Sequence, residues 1–163
     1  MGSPTIKRET MDKIAHFLAI HEIGTGTPAS AETIKNIETQ LSITLNSQYV
    51  DFVKMFGGTF AGIAIHFDEN SDEIGKETVI QLTEWFRESV CDEKYHDCLV
   101  FSDDGAGNAI FLNSDGNVMI YYHDSGEVEK LYESFQSMFD AMKWQGFPPA
   151  CAATNSAGMM RQP

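Results

Sequence analysis

The sequence has few cysteines and no long apolar run. Its three cysteines, Cys91, Cys98 and Cys151, include no CxxC pair. The spacing Cys91-x4-His96-x-Cys98 resembles half of a zinc site, but no second pair of ligands follows at a suitable distance, so we expect buried thiols, no bound metal and no cofactor. No run approaches the roughly 18 apolar residues of a membrane-spanning helix, and no apolar segment of the secretory type follows the charged N-terminus. A cytoplasmic protein is therefore expected.

The motifs of common enzyme classes are also missing. The chain contains no GxSxG, no HExxH, no GxxxxGK[ST] and no GxGxxG at a strand-to-helix junction. Gly105-Ala-Gly107 lies between two predicted strands, where no helix N-terminus is available to bind phosphate. Asp103 and Asp104 could in principle divide general acid and base roles, but adjacent side chains in a tight turn usually point apart. We therefore predict a protein without enzymatic activity.

Basic residues are scarce and unevenly placed. The chain has 11 Lys and Arg against 24 Asp and Glu, a net charge of −13. Residues 68–140 hold 18 acidic and 4 basic residues, a balance of −14, whereas the rest of the chain sums to +1. Such a field repels nucleic acid and attracts basic proteins. Solubility alone is the alternative explanation of this charge.

Apolar residues make up 42% of the chain, enough for one domain with a real core. Three helices are predicted in its first third from apolar spacing, capping residues and glycines. The first carries Met11, Ile14 and Leu18 and stops at Gly24-Thr-Gly26; the second is capped by Ser30 and carries Ile34, Ile37 and Leu41; the third is capped by Asn46 or Ser47 and ends at Gly57-Gly58.

The spacing of apolar residues changes after the third helix, from a helical period to alternation. Residues 59–67 alternate in polarity, which predicts a strand with His66 facing away from the core. The acidic loop 68–73 lacks the spacing and the glycine of a calcium site, so a solvated turn is expected. Residues 78–82 are predicted to form a short strand, and residues 83–89 a helical turn that carries Trp85 and Phe86.

Residues 98–123 organise the rest of the fold. Three apolar runs, 99–101, 109–112 and 118–122, are separated by segments rich in Gly, Asp and Asn, which predicts a three-stranded antiparallel meander. The middle run is apolar at consecutive positions and not at alternate ones. This pattern predicts a central strand that helices cover on both faces.

A last helix is expected after residues 127–131. Ser134 caps it, and Phe135, Met138, Phe139 and Met142 recur at helical spacing. Gly146-Phe-Pro-Pro149 breaks this helix, and residues 150–163 have the composition of a loose tail. The prediction is therefore a single α+β domain, residues 1–149, with N-terminal helices, an antiparallel sheet and a C-terminal helix packed on it.

Several segments, in this order and spacing, resemble the SUKH superfamily of Smi/Knr-type proteins over about residues 34–142. They are Ile34-Lys-Asn-Ile-Glu38, Leu45-Asn-Ser-Gln-Tyr49-Val-Asp-Phe52, Gly57-Gly58, Phe101-Ser-Asp-Asp-Gly105-Ala-Gly107-Asn108, Gly116-Asn-Val-Met-Ile-Tyr-Tyr-His123-Asp and Ser134-Phe135-Gln-Ser-Met-Phe139. Two positions depart from the family pattern: Asn46 replaces a Pro, and Phe56 replaces the Asn before Gly-Gly. The first change is expected to loosen the step between two helices, because Pro presets φ at a helix start.

This resemblance implies a protein-binding fold without enzymatic activity. Bacterial members of the superfamily are mostly cytoplasmic immunity proteins that neutralise a toxin, often a nuclease, and fungal members regulate cell-wall assembly. Combined with the charge, this predicts an immunity protein that covers the basic cleft of a toxin with an acidic surface. A regulatory interaction scaffold of the fungal type is the alternative, favoured by the tail.

The predicted partner-binding residues are loop carboxylates, with two aromatic residues as anchors. They are Asp68, Glu69, Asp72, Glu73, Asp92, Glu93, Asp103 and Asp104, together with Trp85 and Tyr122. Partial burial in the core is the alternative role of both aromatic residues.

Overall fold

The computed structural model describes residues 5–142 and residue 144. Its helices are α1 (Arg8–Ile20), α2 (Ala31–Leu41), α3 (Ser47–Phe56), α4 (Val79–Val90) and α5 (Phe135–Asp140), with short 3-10 turns at Asp72–Ile74 and Glu93–Tyr95. Its strands are β1 (Thr59–Phe60), β2 (Ala64–Ile65), β3 (Leu99–Asp103), β4 (Ala109–Leu112), β5 (Val118–Tyr121) and β6 (Val128–Tyr132). The last four form one antiparallel sheet in the order β3-β4-β5-β6. The predicted α+β fold is confirmed.

Capping residues define the helix starts that the sequence predicts. Ser30 Oγ accepts a hydrogen bond from the N–H of Thr33, and Ser134 Oγ accepts one from Ser137 at the start of α5. Asn46 Oδ1 accepts two, from the N–H groups of Gln48 and Tyr49. Asn46, which departs from the family pattern, thus fixes the start of α3 by hydrogen bonds.

The sheet divides the interior into two cores. Ile110 and Leu112 of β4 point into the larger core, between the sheet and the helices α1, α2, α3 and α5. Phe111, between them, points the other way into the smaller core, which consists of Phe86, Tyr95, Cys98, Val100 and Phe111 beneath α4. The middle strand is therefore central and covered by helices on both faces, as its consecutive apolar residues predict.

The predicted strand at residues 78–82 is wrong, because these residues begin α4. Thr78 and Gln81 form a capping box, in which Thr78 Oγ1 accepts from the Gln81 N–H and the Gln81 side chain accepts from the Thr78 N–H. Val79, Thr83 and Phe86 then recur at helical spacing on the buried face. The β-branched residues at the start of this helix are typical of strands, which explains the wrong prediction. The helical turn predicted for 83–89 is correct but belongs to this longer helix.

The predicted strand at residues 59–67 is two short strands, β1 and β2, joined by a turn. His66, predicted on the face away from the core, is nevertheless buried, with only 3% of its surface exposed. Its Nδ1 lies 2.7 Å from the backbone oxygen of Glu77 and donates a hydrogen bond to it. The 66–77 loop therefore folds back over His66, which a strand pattern alone does not reveal.

The C-terminal part of the domain adds one strand to the prediction. Residues 127–131, expected to lead into a helix, contain most of β6, which extends the meander to four strands. α5 ends at Asp140, so Met142 lies beyond it, half-buried against the larger core. The predicted helix break at 146–149 and the tail at 150–163 lie outside the described residues. Within the described part of the chain, no helix has the length and apolar character needed to cross a membrane.

Candidate protein-binding surface

A groove of about 370 Å³ lies between α4 and the face of the sheet that carries the smaller core. One wall is the side of α4 that holds Leu82, Trp85, Phe86, Ser89 and Val90. The other wall and the floor come from the strands and their connections, namely Val100, Ser102, Asp103, Gly105, Gly107, Ala109, Tyr121 and His123. Helical spacing on α4 and alternation on the strands together bring these residues to one surface.

Aromatic rings hold the floor of the groove in place. The ring of Phe86 lies 5.3 Å from those of Phe111 and Tyr121, and Tyr95 packs edge-on against both Phe111 and Tyr121. Thr83 Oγ1 accepts a hydrogen bond of 3.0 Å from the N–H of Val100, which joins α4 directly to β3. The groove is therefore a formed feature of the fold.

Two of the predicted partner-binding residues, Trp85 and Asp103, line this groove. Trp85 is 65% exposed although it is the largest apolar side chain of α4. Asp103, at the end of β3, is exposed, and one of its carboxylate oxygens accepts a hydrogen bond of 2.7 Å from the N–H of Gly105. Its other oxygen receives no hydrogen bond from the described residues, so it is available to a partner.

Tyr122, the second predicted aromatic anchor, does not line the groove. Its ring packs against the larger core, and its hydroxyl donates a hydrogen bond of 2.8 Å to Glu129. This bond, together with burial and nearby carboxylates, raises the pKa of Tyr122. Tyr121 lines the groove instead, since adjacent strand residues face opposite sides. Alternation with Val118 and Ile120, which are both buried in the larger core, could have revealed this in the sequence.

Asp104 stabilises the glycine-rich turn. One of its oxygens accepts from the N–H groups of Ala106 and Asn108, and the other accepts from the Asn108 side chain. Burial raises the pKa of Asp104, but these hydrogen bonds outweigh it, so that its pKa lies below the ordinary value. Asn108 Oδ1 in turn accepts from the backbone N–H and from Nδ1 of His123. Sequence reasoning missed this connection between two distant turns.

The acidic loop at 68–73 has two carboxylates that accept hydrogen bonds from the 24–27 segment and two that accept none from other described residues. Glu69 accepts a hydrogen bond of 2.8 Å from the Thr27 hydroxyl, and Glu73 accepts one of 3.3 Å from the N–H of Gly24. Asp68 and Asp72 are exposed and take no hydrogen bond from another described residue. The loop therefore uses two of its acidic side chains to hold the 24–27 segment and leaves two for solvent or a partner.

The remaining predicted residues lie at the 3-10 turn before β3. Asp92 accepts a hydrogen bond from the N–H of Lys94 and lies 3.7 Å from its ammonium group, while Glu93 is exposed. The predicted residues thus occupy the groove rim, the 68–73 loop and this turn, and do not converge on one cavity. Among residues 5–142 and 144, no three potential ligands are grouped to hold a metal ion.

A comparison with protein families adds an independent observation. The model of the SMI1/KNR4 family (SUKH-1) matches residues 28–141, which include every strand of the sheet and the groove. The chain belongs to this family. Its members are in general non-enzymatic, with immunity or Smi1/Knr4-type roles. A comparison with curated proteins finds no match.

In this SUKH-1 domain the Gly57-Gly58 pair lies where three loops meet. Gly57 has a φ of +63°, and a Cβ there would collide with the backbone oxygen of Thr27. A Cβ on Gly58 would overlap the side chain of Asn70, which accepts from the Phe67 N–H and donates to the Glu77 oxygen. Only glycine fits at these positions, so the motif positions the acidic loop.

Most acidic residues of the segment 68–140 in this SUKH-1 domain are exposed. Of the 18 acidic residues at 68–140, 16 are exposed, and the other two, Asp92 and Asp104, are half-buried. Three of the four basic residues there bind their own chain. Arg87 donates to the backbone oxygens of Leu41 and His96, Lys94 pairs with Asp92, and Lys130 pairs with Glu133. The excess negative charge is therefore presented to solvent.

Proposed function

We propose that this protein is a non-enzymatic, cytoplasmic immunity protein that binds a protein toxin and blocks its active cleft with an acidic surface. The toxin proposed is a nuclease domain with a basic cleft. The observation that carries the proposal is the exposure of 16 carboxylates in one segment of a SUKH-1 domain. The family gives the general role, and the charge suggests the kind of partner.

The physical reason lies in what a nuclease needs. An enzyme that cleaves nucleic acid binds phosphates with lysine and arginine, so its cleft carries a positive potential. An exposed acidic surface is attracted to that cleft over several ångströms, which speeds association, and opposite charges then select the correct partner. The same charge keeps this protein away from nucleic acid.

The carboxylates best placed for this role are those of Asp68, Asp72 and Glu93, which are exposed and accept no hydrogen bond from the other described residues. Asp103 is also exposed, but one of its oxygens accepts the Gly105 N–H. Glu69, Glu73, Asp92 and Asp104 contribute charge, but they also hold their own loops. Trp85 is the better candidate for an aromatic anchor, because Tyr122 is tied to Glu129.

The test uses the toxin domain encoded next to this gene. The purified pair should bind tightly at low salt, and the affinity should fall as the salt concentration rises. A triple charge reversal, Asp68→Lys, Asp72→Lys and Glu93→Lys, should weaken binding about tenfold or more. Glu32→Lys is the matched control, since Glu32 is an exposed carboxylate of α2 outside the acidic segment.

Two results would contradict the proposal at different levels. Binding that ignores both salt and charge reversal would refute the electrostatic mechanism while leaving immunity in place. Cells that gain no protection from the toxin when they express this protein would refute the immunity role. Recovery of several host regulatory proteins in that second case would favour the alternative, a scaffold of the cell-wall-regulator type.

A further inference from the structure

The groove beneath α4 combines an apolar floor with an acidic rim. Its apolar lining residues include Leu82, Phe86, Val90, Val100, Ala109 and Tyr121. Its volume of about 370 Å³ falls at the lower end of the range of small ligand sites, roughly 300–1,000 Å³. This is space for a large apolar side chain and not for an extended helix.

The floor is held in shape before any partner arrives. Phe86 and Tyr121 meet edge-to-face at 5.3 Å, and Tyr95 packs against Tyr121 at 6.0 Å. The Thr83 hydroxyl fixes the distance between α4 and β3 through the Val100 N–H. A site with such fixed walls binds at a smaller cost in conformational entropy than a site that must first be ordered.

The described residues that line the groove include one carboxylate, Asp103, and neither lysine nor arginine. Asp104 lies next in the chain, and hydrogen bonds keep its pKa low, so it stays ionised at neutral pH. The one histidine of the rim, His123, faces the carboxylate of Asp124 at 3.1 Å. A negatively charged ligand would therefore meet repulsion at this rim.

Trp85 gives the rim a surface that suits both apolar and cationic groups. Gln81, Glu84 and Glu88 of the same helix are polar and exposed, whereas Leu82 lines the groove beside Trp85, so the indole lies at the border between the apolar groove and the polar surface. Tryptophan, with tyrosine and arginine, is enriched among the residues that contribute most of the binding energy in protein interfaces. Its ring face also attracts ammonium and guanidinium groups.

We propose that this groove receives a large apolar side chain of a partner protein, flanked in that protein by lysine or arginine, with the basic group paired to Asp103. The proposal rests on the proposed function, in which the partner is a protein with a basic surface. It adds where that partner is anchored and by what kind of residue. An acidic or phosphorylated segment fits less well, because it would face Asp103 and Asp104.

A peptide titration tests the groove without knowledge of the natural partner. The probes are three capped pentapeptides, Gly-Arg-Phe-Arg-Gly, the same peptide with both Arg replaced by Glu, and the same peptide with Phe replaced by Ala. The readout is the NMR shift of the Trp85 indole N–H and of the Gly105 and Gly107 amides in the full chain. The first peptide should give saturable shifts. The affinity of each of the other two should be lower by about tenfold or more.

Substitutions locate the binding on the protein. Trp85→Ala and Asp103→Asn should each weaken binding of the first peptide, and Ser89→Trp should block it, because Ser89 is an exposed lining residue whose enlargement fills the groove. Ile20→Ala and Glu32→Gln are the matched controls, since both residues are exposed and lie outside the groove and outside the acidic segment. Circular dichroism verifies that each variant is folded. Equal binding of the Arg and Glu peptides, or equal binding to Trp85→Ala and the unsubstituted protein, would overturn the proposal.

A protection experiment separates this proposal from the proposed function. If Trp85→Ala and Ser89→Trp protect cells from the toxin as well as the unsubstituted protein does, while charge reversal abolishes protection, the groove proposal is wrong and the immunity role stands. If the Arg peptide binds the groove as expected and no toxin is neutralised, the immunity role is wrong and the docking chemistry of the groove stands. Loss of protection in both groove variants, with protection intact in Ile20→Ala, supports both.

Discussion

The hydroxyl of Tyr49 donates a hydrogen bond of 2.6 Å to the backbone oxygen of His66. Tyr49 belongs to α3 and is fully buried among Phe67, Phe101 and Phe135, while His66 follows β2. This one bond therefore connects the N-terminal helices to the start of the loop that carries Asp68 and Asp72.

Tyr49→Phe should destabilise the protein without changing its fold. The ring is retained, but the buried oxygen of His66 loses its partner, which costs about 1–3 kcal/mol. Urea denaturation should show a lower midpoint with an unchanged m-value. A variant as stable as the unsubstituted protein would mean that this oxygen finds another donor.

Stability should fall at alkaline pH, and Tyr49 should contribute to the fall. Burial raises the pKa of Tyr49 well above its ordinary value near 10. Because its folded-state pKa is the higher one, its contribution is complete below pH 10 and is lost as the pH rises above 10. Urea midpoints at several pH values between 9 and 11 should decline less steeply for Tyr49→Phe. Parallel curves for the two proteins would contradict this assignment.

The Gly57-Gly58 pair should tolerate no side chain. Gly57→Ala combines a positive φ with a collision against the Thr27 backbone, and Gly58→Ala displaces the Asn70 side chain. We expect each to cost more than about 2 kcal/mol in the free energy of unfolding. Gly24→Ala is the control, since its Cβ would lie 3.4 Å from a Glu73 oxygen in ordinary contact and should change stability by less than about 0.5 kcal/mol. A mild effect at all three glycines would contradict the close approach of the loops.

Asn46 should act through its side-chain oxygen. Asn46→Ala removes the acceptor for the N–H groups of Gln48 and Tyr49 and should cost about 1 kcal/mol. Asn46→Asp keeps that acceptor and should stay close to the unsubstituted protein in thermal unfolding. Equal losses in the two variants would show that the amide nitrogen, which lies near Gly116, is the more important group.

Local patterns predicted the parts of this fold that local residues determine. The glycine and asparagine turns correctly placed three strands of the sheet, and Ser30, Asn46 and Ser134 marked helix starts. The same reasoning failed at residues 78–82, where β-branched residues outweighed the capping pair Thr78 and Gln81. The burial of His66 was not foreseen, because it depends on a loop that returns from Glu77. Both cases concern the segment between α3 and β3, where long-range contacts decide the outcome.

The acidic protein-binding surface stays a prediction from charge and family resemblance. The sequence named Trp85 and Asp103 but could not show that both line one groove. That placement depends on how α4 lies over β3, which involves the hydrogen bond between Thr83 and Val100. Tyr121 was passed over for Tyr122, although alternation along β5 separates the two. Because side chains alternate between the two faces of a strand, Tyr122 lies on the same face as Val118 and Ile120, and Tyr121 lies on the other face.

The unequal division of the interior by the sheet sets how the molecule exchanges its amide protons. Among the described residues, the smaller core has five buried apolar residues and the larger core has 27. We therefore expect α4 and the turn at Glu93–Tyr95 to separate from the sheet more readily than the helices on the other side. Deuterium should therefore enter the backbone of α4 before that of α3 and β4. A molecule bound in the groove should hold α4 against the sheet. Deuterium uptake in the α4 backbone should therefore slow when that molecule binds.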